Sequence, residues 1–72
     1  MKNTNKIKIK INGKIKLIYG NQSLSNLMYN LKIPIKKVAI ELNQEIIDKK
    51  NMNKIFLKKN DKIEIVHFIG GG

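Results

Sequence analysis

The sequence predicts an α+β domain, a mixed sheet of four to five strands with one helix packed across one face. Three observations carry this. Lys6 to Ile11 alternates strictly between lysine and isoleucine and runs into Asn12-Gly13, as a half-buried strand entering a hairpin does. Leu24, Leu27, Met28 and Leu31 recur at i, i+3, i+4 and i+7, the apolar stripe of a single helix. Two further apolar runs, 38–42 and 62–68, stand apart from these, separated by polar, turn-forming sequence.

Taken in order, Met1 to Asn5 is a polar lead-in. The first strand puts Ile7, Ile9 and Ile11 on one face and its lysines in water. Parity governs the return strand. A two-residue Asn-Gly loop would place Lys14 and Lys16 on the isoleucine face, because shifting a strand by one residue reverses its faces. A three-residue loop with Gly13 in the left-handed position places Ile15, Leu17 and Tyr19 there instead. The expectation is therefore a bulged hairpin, with Lys8, Lys10 and Lys16 gathered on the outer face.

Ser23 is a suitable N-cap for the helix, and Pro34 requires the helix to end by Lys32 or Ile33. Met28 at this spacing is a core residue. Val38 to Leu42 is an apolar, central strand, and Asn43-Gln44-Glu45 turns into a short strand at Ile46-Ile47. A helical turn is expected around Met52, after which Ile55, Phe56 and Leu57 return to the core. Asn60-Asp61 turns the chain into the last strand. The expected core is Ile7, Ile9, Ile15, Leu17, Leu24, Leu27, Met28, Leu31, Val38, Ile40, Ile63 and Ile65. With the first and last strands parallel at the centre, this order is the ubiquitin-like β-grasp. It divides the chain into a domain at 1–68 and a flexible glycine tail at 69–72.

The composition narrows the function. A chain of 72 residues is one small domain with little room for a private catalytic pocket. It has no cysteine, hence no disulfide framework, no thiolate nucleophile and no cysteine-bound zinc. No apolar stretch approaches membrane-spanning length, and the N-terminus lacks a signal-peptide core. The formal charge of +10 comes from fifteen lysines and no arginine, against five acids. Isoleucine, lysine and asparagine have AT-rich codons and make up more than half the chain, so coding bias accounts for much of the charge. Non-specific attraction to nucleic acid follows from that charge. A base-reading protein would also use arginine and exposed aromatic side chains.

The most distinctive segment is the end. Gly70, Gly71 and Gly72 follow an apolar strand directly, whereas a fraying terminus is ordinarily polar. Glycine gives a thin chain with large backbone freedom, suited to a narrow partner channel that must reach the Gly72 carboxylate. Four extended residues after Phe68 reach roughly 13–14 Å.

Val38-Ala39-Ile40-Glu41-Leu42-Asn43-Gln44-Glu45-Ile46-Ile47 resembles the central strand and turn of the ThiS sulfur-carrier family of thiamine thiazole synthesis. Asn60 to Gly72 is similar to its C-terminal end almost position for position, and Ile11-Asn12-Gly13-Lys14 resembles its first hairpin. Met52 stands where many members carry tryptophan, and Asn60 replaces the usual glycine. The resemblance implies a protein co-substrate, not an enzyme. An adenylating enzyme of the ubiquitin-activating, ThiF type would join the Gly72 carboxylate to AMP, using ATP; the chain itself would bind no cofactor and no metal. A cysteine-derived persulfide would supply sulfur and leave a thiocarboxylate on Gly72, with Gly70 and Gly71 giving access. A thiazole synthase of the ThiG type would take that sulfur. A bacterial cytoplasm and a plastid stroma both fit the isoleucine, lysine and asparagine bias and the missing signal-peptide core.

In the last strand Ile63 and Ile65 point inward, so Val66 and Phe68 are expected on the opposite face as an apolar docking patch beside the tail. His67, the lone histidine, has no partner constellation for catalysis. Asp61 reads as a turn former and Glu64 as surface charge. Two other readings are open: the small subunit of molybdopterin synthase, with the same chemistry, and a basic RNA- or ribosome-binding module whose tail has no role.

Overall fold

The computed structural model describes residues 5–68, so the glycine tail lies outside the described residues. Five strands form one sheet: β1 (Lys6–Ile11), β2 (Lys14–Tyr19), β3 (Val38–Leu42), β4 (Glu45–Ile46) and β5 (Lys62–His67). Their spatial order is β2-β1-β5-β3-β4. β1 and β5 are parallel, and every other neighbouring pair is antiparallel. One helix, α1 (Leu24–Asn30), covers one face. This is the expected ubiquitin-like β-grasp, with β5 at its centre.

Local chemistry places α1. Ser23 Oγ accepts the Asn26 N–H at 3.0 Å, satisfying one of the free donors of the first turn. At the other end Lys32 takes a left-handed φ of 59°. Its N–H donates to Tyr29 C=O and the Ile33 N–H to Met28 C=O, a Schellman closure with lysine in the place usually held by glycine. Pro34 then bars further helix. Leu24, Leu27 and Met28 are buried against Ile9, Val38, Ile40, Ile63 and Ile65, with Leu31 packed at the margin. The 3₁₀ turn Lys49–Lys54 buries Met52 completely enough to close the core beside α1.

The hairpin corrects the sequence expectation. Ile11 pairs with Lys14, Ile9 with Lys16 and Ile7 with Ile18, so the loop has two residues and no bulge. Asn12 and Gly13 have φ of 50° and 83°, the type I′ geometry that suits the strand twist. Ile15 and Leu17 leave the expected core and are 62% and 61% exposed, as is most of Tyr19. Lys16 moves to the helix side, away from Lys8 and Lys10. Two physical reasons account for this. β2 is an edge strand, so Lys14 and Lys16 run their stems past Ile11 and keep their ammonium groups in water. The bulged register would also set Lys10 directly opposite Lys16, a repulsive pair; in the observed register every lysine faces an apolar residue or Tyr19. Ile18, absent from the expected core, takes the inward position at 7% exposure.

Elsewhere the expectation of a buried Phe56 also fails. Ser23 and Phe56 form a short antiparallel bridge in which Leu57 turns inward and Phe56 outward. Urea denaturation checks the hairpin register. Ile18→Ala is expected to cost about 2–4 kcal/mol, whereas Leu17→Ser changes stability by less than about 1 kcal/mol. A bulged hairpin would reverse that order.

Candidate functional site

The candidate site is the root from which residues 69–72 continue, and β5 builds it. Pairing of β5 with β3 runs from Leu42 opposite Ile63 to Val38 opposite His67. It is extended by the Phe68 N–H, which donates to Lys37 C=O at 3.0 Å. The last described residue before the tail is thus still fixed to the sheet.

On its other side β5 is held first by β1, with Asn12 N–H donating to Ile63 C=O at 2.9 Å. Past that point β1 turns away into the hairpin. The Asn12 carboxamide takes over as an additional rung. Its Oδ1 accepts the Ile65 N–H at 2.7 Å and its Nδ2 donates to Ile65 C=O at 3.4 Å. One side chain in a type I′ turn therefore continues the ladder that the backbone has left.

Val66 and Phe68 face away from α1, as alternation requires, and are 56% and 54% exposed. The Lys49 ammonium lies 5.4 Å from the centroid of the Phe68 ring, a cation–π arrangement. Lys49 is held there by its turn: Asp48 Oδ1 accepts the Lys50 N–H at 3.0 Å, and Met52 anchors the turn in the core. The exposed apolar pair beside the tail is therefore edged by a positive charge. His67 is exposed at the end of β5, and among the described residues it joins no group of three His, Cys, Asp or Glu side chains. Asp61 is the turn former expected of it, accepting from Asn43 Nδ2 at 3.0 Å and from the Lys58 N–H at 2.8 Å. Glu64 is exposed on the outer face beside Glu41. Gly70, Gly71 and Gly72, the residues expected to carry the chemistry, lie outside the described residues.

Two contributors escape sequence reasoning. Lys49 sits in a polar stretch without periodicity and meets Phe68 only through the fold. Asn12 is legible as a turn residue, but nothing local signals that its side chain pairs with a strand 53 residues away. Among the described residues no three His, Cys, Asp or Glu side chains are grouped to hold a metal ion. No helix there is long and apolar enough to cross a membrane.

Residues 9–72 match the ThiS family. The chain belongs to that family. It is 37% identical over 65 residues to sulfur carrier protein ThiS of Bacillus subtilis, covering 89% of this chain and 98% of that protein. It is 35% identical over 66 residues to thiazole synthase of Magnetococcus marinus, covering 92% of this chain and 20% of that protein. The chain thus spans about a fifth of the length of that relative. The crystal structure of thiamine biosynthesis protein ThiS from Geobacter metallireducens matches with a TM-score of 0.80 at 28% identity, over 92% of this chain and 100% of that one. The ThiS match includes both the Asn12 turn and the glycine tail, so the rung and the segment it supports fall within the shared region.

Asn12→Ala tests the support of the tail root. It leaves both Ile65 backbone groups without their partner and puts alanine at a positive φ. The expected loss is about 1–3 kcal/mol in urea denaturation, with faster hydrogen exchange at the Ile65 amide than at Phe68.

Proposed function

We propose that this sulfur carrier of thiamine biosynthesis bears its cargo on the carboxylate of Gly72, and that Gly70 and Gly71 let partner active sites close around that carbon. The carboxylate is anionic at neutral pH and repels nucleophiles, so one oxygen must first become a leaving group. A carboxylate oxygen attacks the α-phosphorus of ATP in an adenylating enzyme of the ubiquitin-activating type, and pyrophosphate departs. The terminal sulfur of a cysteine persulfide then attacks the acyl carbon and AMP leaves. A thiol cleaves the resulting S–S bond, releasing the thiocarboxylate. ATP is thus a substrate of the partner and no cofactor of this chain.

The observation that carries this reading is the build of the tail root. β5 is clamped by β3 as far as Phe68 and by β1 with Asn12 as far as Ile65, so the domain stays outside a partner while residues 69–72 enter it. Matching to the ThiS family as far as Gly72 supports the same reading. The destination we propose is a thiazole synthase: one such enzyme contains, within a single polypeptide, a stretch similar to nearly this entire chain. The same relatives favour thiazole over molybdopterin as the product served. The bacterial cytoplasm or plastid stroma is the setting that fits. Val66 and Phe68, with Lys49 beside them, form the docking patch.

Removal of Gly72 separates a carrier from a basic RNA-binding module. The truncated chain is expected to fold normally and to lose chain-dependent exchange of pyrophosphate into ATP by the adenylating enzyme. Unaltered exchange after truncation would contradict the reading. An RNA-binding role predicts instead that truncation changes nothing, while affinity for RNA falls steeply with salt.

A further inference from the structure

The edge of β5 opens at the tail root. Along this strand backbone groups alternate sides. Lys62 C=O and the Phe68 N–H are used toward β3, accepting from Asn43 N–H and donating to Lys37 C=O. Asp61 and Ile63 carbonyls are used toward β1, accepting from the Lys10 and Asn12 N–H groups, and Ile65 is paired by the Asn12 carboxamide. The next residue on the β1 side is His67. It sits opposite Val38 in a pair that exchanges no hydrogen bonds, and its own N–H and C=O have no partner among the described residues.

His67 is exposed. By this point β1 has turned back as β2 through Asn12 and Gly13. Proteins ordinarily blunt or cover an unpaired strand edge. This one is uncovered among the described residues, five positions before Gly72.

We infer that His67 is a main-chain docking rung: an extended segment of the enzyme that activates Gly72 adds to the sheet in line with β1, pairing with the His67 N–H and C=O. The inference rests on the carrier reading above and goes beyond it by naming where the partner's backbone is bound. Reach brings the activating enzyme, the first to hold the free carboxylate, to this rung. A protein holding the Gly72 carboxylate must lie within roughly 13–14 Å of Phe68, hence alongside the open rung. Charge selects its side chains. The chain's formal charge of +10 favours acidic side chains on the added segment. Strand addition of this kind draws affinity from main-chain hydrogen bonds and specificity from alternate side chains.

Amide exchange followed by NMR on the intact chain reads the rung directly. In the free protein the His67 amide is expected to exchange rapidly while Val66 and Phe68 are protected, and the adenylating enzyme with ATP is expected to protect His67. Proline supplies a second measure, because its missing N–H is tolerated where that N–H serves no internal bond. His67→Pro should fold and keep Phe68 protected, yet be activated with kcat/KM about tenfold below that of His67→Ala, the worth of one hydrogen bond. A His67 amide left unprotected in the complex, or equal kcat/KM for the two variants, overturns the proposal. Either result alongside a Gly72 deletion that still abolishes activation leaves the carrier reading intact. Activation that survives the Gly72 deletion removes both.

Discussion

The hydrogen-bond ladder around β5 is the constraint on which the rest of the molecule depends. β5 is the one strand joining the β1–β2 hairpin to the β3–β4 pair, and its inward isoleucines, 63 and 65, meet the helix at the middle of the core. Were it to slip by one residue, Ile63 and Ile65 would face water and Glu64 would face α1. The register is held from both flanks: by five paired positions with β3, and by a short parallel stretch with β1 that Asn12 lengthens by one rung. The site inherits this rigidity, since the strand that fixes the core also carries the tail. In a chain this small, near the limit at which one core suffices, a single strand serves both purposes.

Charge shapes the hairpin more strongly than apolar patterning does. With lysine at every other position of β1, any register aligning the isoleucines also aligns lysines. The chain instead exposes Ile15 and Leu17 and, across the hairpin, sets its lysines opposite apolar residues or Tyr19. Lys6 gains a contact with the Tyr19 ring at 5.2 Å. The cost is apolar surface on an edge strand, flanked by lysines, the charge with which exposed edges are ordinarily blunted.

Much of this was legible in the sequence, for reasons that differ between segments. The helix is specified locally, by Ser23, the apolar stripe and Pro34, and the structure agrees. The outward placement of Val66 and Phe68 follows from strand alternation alone. The hairpin register depends on edge position, which local patterning does not carry: an edge lysine escapes to water where a central one does not. Phe56 was misassigned because one bridge to Ser23 reverses the faces of a three-residue stretch. Lys49, Asn12 and the open rung at His67 were illegible, since each depends on contacts or on an end of pairing that only the assembled sheet creates. The resemblance carried by the last thirteen residues reached the family, whereas the means of holding the tail root needed the fold.

The central claim is that the carboxyl carbon of Gly72 carries the sulfur. Intact-mass analysis of the chain after incubation with the adenylating enzyme, ATP and a persulfide source, followed by fragmentation, tests it most directly. The account predicts one oxygen replaced by sulfur, localised to the fragment ending in Gly72 and dependent on ATP. Sulfur on any other residue, or an unchanged mass under conditions in which ATP is consumed on the chain, would contradict it.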